Sequence, residues 1–254
     1  MSSSTSSAPT LAIFGATGGC GLAVLRHSLQ AGLRVNVLAR TPPKLTSQFP
    51  LAKYPNLTII QGDIRDAEAV KKTLTITEGD SGKLVDIVVS GLGMVAGNSD
   101  PTLCEDGVKC IFSSIKAIQG SLGQAGNTPG PRIVVVSSTG ISTAGRDIPI
   151  VIVPLYRMII GTPHADKRKM ESAILDSGAR WCIVRASLLL NGGSKGLKKV
   201  RVGVEVPKKG GKAEVTKEIG YTIRREDVGL WIFEELVNAG GKSEWEGKIV
   251  SLTY

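Results

Sequence analysis

Thr10–Gly21 reads TLAIFGATGGCG. A short apolar run, Leu11 to Phe14, stops at the first of three glycines, Gly15, Gly18 and Gly21, spaced as GxxGxxG. A strand ending at Gly15, a tight glycine turn and a helix beginning near Gly18 would leave bare backbone amides at the helix start. There the positive end of the helix dipole favours an anion. Leu22, Leu25 and Leu29 recur at helical spacing in Cys20 to Gln30, as such a helix requires. Placed between a strand and a helix, the glycines predict a pyrophosphate cradle for a dinucleotide; a plain turn is the alternative.

Outward from this motif the chain alternates. Val35 to Leu38, Leu57 to Ile60, Val85 to Val89, Ile133 to Val136, Trp181 to Val184 and Lys248 to Thr253 read as strands. Continuous Val, Ile and Leu runs suit a parallel sheet covered on both faces. Helices are expected at Gly21 to Ala31, Asp66 to Leu74, Leu103 to Ala125, Asp166 to Ser177 and Arg225 to Ala239, with Asp66 as an N-cap. The expected fold is α/β, a doubly wound Rossmann-type parallel sheet in a single domain, residues 10–254, with a small C-terminal lid or substrate region at 191–222. Residues 1–9, with their serine-rich SSSTSSAP, read as a disordered tail without a signal peptide.

Hydrophobic residues at 42% and charged residues at 21% fit a globular protein, and no run is long enough to span a membrane. Cys20, Cys104, Cys110 and Cys182 are scattered without CxxC spacing. They predict no zinc site, no disulfide framework and a reducing, cytoplasmic setting. The net charge of +9 is concentrated. Lys195, Lys198, Lys199, Arg201, Lys208, Lys209 and Lys212 face Glu205 alone. The segment lacks aromatics to stack on bases, so a solvated basic loop is preferred to nucleic-acid binding.

The residue after the second strand selects the nucleotide. A carboxylate there would accept from a ribose hydroxyl. Here Ala39, Arg40 and Thr41 stand instead, with Lys44 one turn on. A guanidinium grips a 2′-phosphate bidentately, so NADP(H) is the expected cofactor; an Arg40 pointing into water is the alternative. Asp63 lies too far along for the ribose and would face the adenine or cap the next helix.

GATGGCG, LARTPPKL, GDIRD, VSGLG and VVVSSTG, with DKRKMESAILDSGARWCIVRAS and YTIRREDVGLWIFEEL, resemble the atypical short-chain dehydrogenase/reductases. The similarity is to their NAD(P)H-binding branch, NmrA-like and biliverdin-reductase-B-like, and covers nearly the whole chain. The resemblance implies that Gly15, Thr17, Gly18, Gly19, Cys20 and Gly21 cradle the pyrophosphate. It implies Arg40 at the 2′-phosphate, Asp63 and Ile64 at the adenine, and Gly91, Leu92 and Gly93 along the cofactor. Ser137, Ser138 and Thr139 would end the fifth strand at the ligand edge. Arg185, Ala186 and Ser187 stand where the family often has Arg-Pro beside the nicotinamide, and the proline is absent here.

Familiar members of that superfamily carry a Tyr-x-x-x-Lys pair. Lys167 matches the lysine and lies on the stripe with Met170, Glu171 and Ile174 that should face the sheet. It is either a ligand to the cofactor or a partner of Glu171. The tyrosine position holds Pro163. Replacement donors are His164, whose imidazole at an ordinary pKa of ~6.5 would give a proton near neutrality, and Tyr156 in the apolar run 148–160. Ser138 or Thr139 could orient a carbonyl. Hydride transfer to a quinone, flavin or iminium would need no acid.

The expected function is an NADPH-dependent reductase of a small, largely apolar metabolite, monomeric or dimeric, with no membrane or nucleic-acid partner. A non-catalytic NADP redox sensor and an epimerase with retained cofactor are the alternatives.

Overall fold

The computed structural model describes residues 8–78, 81–93, 100–123, 129–150, 161–208, 210–238 and 244–254. Most of the apolar run 148–160 with its Tyr156, the tail through Ser7, and Lys209 lie outside them.

The described residues form thirteen strands in chain order: β1 Leu11–Phe14, β2 Val35–Ala39, β3 Leu57–Gln61, β4 Thr75–Glu78, β5 Ser81–Leu84, β6 Ile87–Ser90, β7 Arg132–Ser138, β8 Trp181–Ala186, β9 Leu188–Leu190, β10 Arg201–Val206, β11 Glu214–Thr216, β12 Thr222–Arg224 and β13 Lys248–Thr253. The α-helices are α1 Gly19–Gln30, α2 Pro43–Thr46, α3 Ala67–Leu74, α4 Leu103–Ser121, α5 Gly161–Leu175 and α6 Arg225–Ile232. Nine strands form one sheet in the order β11-β10-β13-β8-β7-β6-β1-β2-β3. From β13 to β3 every pairing is parallel; β10 and β11 add antiparallel strands at one edge. Chain order reverses at β1, which lies between β2 and β6. In doubly wound sheets the crevice at such a switch point, outside the carboxyl ends of the strands, receives the ligand.

β1 shows why the strands read as unbroken apolar runs. Leu11 and Ile13 enter the core under α1 and α6, Ala12 and Phe14 enter the core under α3, α4 and α5, and all four are at most 1% exposed. The doubly wound sheet is therefore as the sequence implies. Asp66 caps α3 as its position suggests, its carboxylate accepting from the amides of Glu68 and Ala69.

Local differences have physical causes. α1 starts two residues early, so Gly19 and Cys20 join its first turn. The strand expected from Val85 begins at Ile87, because the β4–β5 hairpin precedes it and Val85 donates to Leu74 O. The late helix is α-helical only to Ile232 and continues as a π-helical turn over Phe233–Val237. Within 191–222, β10 pairs with β13 and β11 with β10, and β12 pairs with β9 in a separate two-stranded sheet. The basic stretch is thus largely held by the sheet. Lys208 pairs with Glu214, Arg201 with Glu218, and Glu205 turns inward to Arg185. Among the described residues no helix is long and apolar enough to cross a membrane.

Candidate functional site

A cavity of about 480 Å³ opens at the switch point, between the ends of β1, β2, β6, β7 and β8. Gly15, Thr17, Gly18, Gly19, Cys20, Arg40, Asp63, Ile64, Gly91, Leu92 and Gly93 line it. Ser137, Ser138, His164, Lys167, Ala186 and Ser187 complete the opposite wall. Three expected residues are not brought to it. Gly21 is packed beneath the loop, Lys44 lies in the exposed α2 turn, and Thr139 is buried with its amide and hydroxyl directed at Ala186 O.

The floor is built by backbones in contact. A Cβ on Gly15 would stand 2.8 Å from Gly91 C, and one on Gly21 would stand 2.6 Å from Gly15 O. Gly15 also has φ +78°, a region that L side chains rarely adopt. Gly18 differs: its φ is −175° and a Cβ there would meet no atom within 4 Å. The space above it belongs to the cavity. No side chain caps α1, and its first turn holds no acidic residue.

The charged wall is mostly cationic. Among the described residues Arg40, Lys167 and Arg225 line the cavity, with Asp63 as the one carboxylate. Asp63 Oδ1 accepts from Arg65 N, and the α3 cap falls to Asp66 instead. Lys167 is not paired with Glu171. Its Nζ donates to Leu92 O and Val136 O, both at 2.6 Å, which fixes the ammonium between the ends of β6 and β7. Glu171 is taken by Arg185, whose Nη2 lies 2.6 Å from Glu171 Oε2 and Nη1 2.8 Å from Glu205 Oε2. The Arg185 side chain therefore turns from the cavity, while Ala186 and Ser187 face it. Asp166, beside Lys167, accepts from the amides of Cys104 and Glu105 and so caps α4.

His164 Nε2 lies 3.2 Å from Ser138 Oγ, whose hydroxyl also reaches Thr139 O. Burial lowers the imidazole to about 4, with Arg168 adding to the effect. The ring is therefore neutral at pH 7 and works as a hydrogen-bonding group, unlike the imidazolium its ordinary pKa would allow. Since an unfolded chain's histidine titrates near ~6.5, the unfolded state binds the extra proton between that pH and 4. Stability should fall as pH drops through this window, by up to roughly 3 kcal/mol. Urea unfolding of wild type and His164→Asn from pH 7 to 4.5 checks this: the variant should lack that part of the slope. An identical slope in both would place the acid sensitivity elsewhere.

These residues fit a dinucleotide. Gly18 leaves a cradle that a Cβ would fill, and Ser137, a residue of the cavity wall, has a buried Oγ without a hydrogen-bond partner among the described residues. The cation excess suits a ligand with several negative charges, and Leu38, Leu92, Leu103 and Leu189 supply apolar walls for its rings. The 187–191 loop, expected beside the substrate, supplies Leu188 and Leu189, whereas sequence reasoning missed Arg225. The one available sign was the paired arginine at the start of the late helix.

The chain matches the family model described as NAD(P)H-binding over residues 15–239. It is 40% identical to the reductase pytE of Aspergillus terreus over 98% of this chain and 100% of that one. It is 32% identical to the oxidase pynE of Aspergillus niger over 97% and 99%. Among solved structures, a short-chain dehydrogenase/reductase of Veillonella parvula in complex with NADP superposes with a TM-score of 0.68 at 14% identity, covering 97% of this chain and 94% of that chain. ChuY, an anaerobillin reductase of Escherichia coli O157:H7, does so at 0.63 and 22% identity, covering 96% of each. The structural likenesses concern the fold.

Proposed function

The chain belongs to the NAD(P)H-binding family and is an NAD(P)H-dependent oxidoreductase, and on that premise we propose that it uses NADP(H) to reduce a small, largely apolar metabolite. The observation that carries the cofactor choice is Arg40, which lines the cavity at the end of β2 where a carboxylate would select NAD. Gly15, Thr17 and Gly18 to Cys20 hold the pyrophosphate, Gly21 lets the loop close beneath it, and Arg40 faces the 2′-phosphate, with Lys44 outside the cavity adding only long-range positive charge. Asp63 and Ile64 receive the adenine. Gly91 to Gly93, Ser137, Lys167, Ala186 and Ser187 hold the nicotinamide half.

Bound there, the reduced nicotinamide supplies a hydride. The chain's own part is orientation and the proton. Lys167, clamped by two carbonyls, keeps a positive charge where negative charge develops on the substrate. Ser138 Oγ orients the reducible group and gives up its proton, and neutral His164 returns one to it from Nε2 as its Nδ1 takes one from water, so the ring stays neutral. Leu188, half exposed, and Leu189 form the apolar side against which the substrate lies. Thr139 acts from behind, through Ala186 O. That two relatives spanning the whole chain are named reductase and oxidase supports catalysis over the sensor. An imidazole lowered to about 4 is a weak base for an epimerase.

The test is calorimetric titration with NADPH, NADP, NADH and NAD, repeated on Arg40→Ala. Hydrogen bonds to charged groups contribute about 1.5–3 kcal/mol each. The variant should therefore lose roughly tenfold or more in NADPH affinity, falling to the level of NADH, whose own affinity should not change. Equal affinities for NADPH and NADH in the wild type would overturn the NADP(H) assignment. Screening apolar carbonyls, quinones and imines then reads turnover.

A further inference from the structure

We propose that Arg225 is a second phosphate-binding arm of this cavity and latches the β9 loop to the bound nucleotide; the inference rests on reading the cavity as a nicotinamide-nucleotide site. Arg225 opens α6 and lines the cavity beside the start of α1. A Cβ on Gly19 would stand 3.7 Å from Arg225 Cδ and 3.9 Å from Nε. The guanidinium thus lies over the loop whose amides face the cavity.

Its electrostatic position is unfavourable without an anion. A cation at a helix N-terminus opposes the dipole, and here the start of α1, which also lacks acidic residues in its first turn, lies close by. The neighbouring carboxylates are committed elsewhere. Glu226 takes Arg26 at 2.6 Å and lies 3.1 Å from His27 Nε2. Asp227 accepts from the amides of Lys195 and Gly196 and the hydroxyls of Ser194 and Tyr254. Arg225 itself bonds only neutral oxygens among the described residues: Nη1 donates to Leu189 O at 3.0 Å and Asn191 Oδ1 at 2.9 Å. Nε and Nη2 have no hydrogen bond to a described residue. A pyrophosphate above Gly19 supplies the missing negative charge and takes these donors.

The same side chain then joins two parts of the site. Leu188 and Leu189 line the cavity, and Arg225 holds the loop that follows them through Asn191. Arg224 fixes Gly193 O, and Asp227 fixes residues 194–196. Three residues at the start of α6, Arg224, Arg225 and Asp227, thus bind one loop, and of these only Arg225 also lines the cavity. Occupancy of the phosphate position tightens the wall on which substrate lies.

The prediction differs from that for Arg40. Pyrophosphate is common to NADPH and NADH, so Arg225→Ala should lower the affinity for both by one common factor, roughly tenfold or more. Arg225→Lys, which keeps charge and stem but loses the planar fork, should fall between variant and wild type for both. The second readout is trypsin cleavage in the exposed lysines 195–199. Saturating NADPH should protect wild type, and should fail to protect Arg225→Ala even when its concentration is raised to restore saturation. Unchanged affinities, or loss for NADPH alone, would overturn the phosphate assignment. Equal protection in both proteins would overturn the latch. A wild type that binds neither nucleotide would instead sink the cofactor reading itself, and this inference with it.

Discussion

Replacing Arg185 by alanine is expected to remove about 3–5 kcal/mol of stability, the scale for breaking a buried ion pair. The guanidinium is 5% exposed and forms a fork with Glu171, also 5% exposed, while its other amino group holds Glu205. Without it, two carboxylates stay buried against the sheet, beside a small cavity that Asp147 also lines. Burial already raises the Asp147 carboxyl, and its Oδ2 has no hydrogen-bond partner among the described residues. The sign of the pH dependence follows. Unpaired buried carboxylates have folded-state pKa values raised above the unfolded ones, so the native variant binds more protons than its unfolded chain. Its deficit against wild type should therefore shrink from pH 8 to pH 5. Denaturant unfolding at both pH values reads this; a loss below about 1 kcal/mol would mean the network is no stronger than a surface pair.

The triad matters to the site because of what it joins. Glu171 lies one turn beyond Lys167 on α5, Arg185 precedes Ala186 and Ser187 on β8, and Glu205 comes from β10. The buried charges fix the helix carrying Lys167 and His164 against the strand that forms the opposite wall. Buried polar groups of this kind have few alternative arrangements, which favours one placement of the lysine.

Legibility in the sequence followed burial. β1 and β13 match their expected bounds because LAIF is apolar throughout and Ile249, Val250 and Leu252 of KIVSLT fill the cores on both faces of the sheet. The β4–β5 hairpin, TITE and SGKL, has no such run, and β9 is three leucines that read as loop. β10, RVGVEV, alternates charged and apolar residues as an antiparallel strand does, but its arginine and glutamate were counted in the basic cluster. Glu205 looked like a lone surface counter-ion; tertiary pairing with Arg185 made it an interior group. The inward face of Lys167 was legible from helical spacing, whereas its carbonyl partners come from β7 and the loop after β6 and leave no local trace. Arg225 left only its pairing with Arg224 as a sign: an arginine at a helix start resembles any solvated one until the cavity is assembled around it.

The glycine motif gives the last prediction, because its glycines do different work. In Gly21→Ala the new Cβ would meet Gly15 O at 2.6 Å and Gly15 C at 3.0 Å. These are backbone atoms, and Gly15 is itself wedged against Gly91, so no flexible side chain can move aside. Overpacking typically costs about 1–3 kcal/mol and occasionally more; against rigid backbone the cost falls at the upper end, and the variant should melt well below wild type with or without nucleotide. Gly18→Ala places its Cβ in open space on extended backbone, and losing a glycine N-cap costs under about 1 kcal/mol. It should fold and melt close to wild type. That methyl group, however, projects where a phosphate has to approach the amides of the α1 start, so NADPH affinity should drop roughly tenfold or more, the ~1.4 kcal/mol of one lost phosphate hydrogen bond. Thermal melting and calorimetric titration of the two variants separate the roles. If Gly18→Ala binds NADPH like wild type, the loop is a packing turn and the anion sits elsewhere. If it folds and fails to bind, Gly15 and Gly21 shape the turn, and Gly18 leaves room for the ligand.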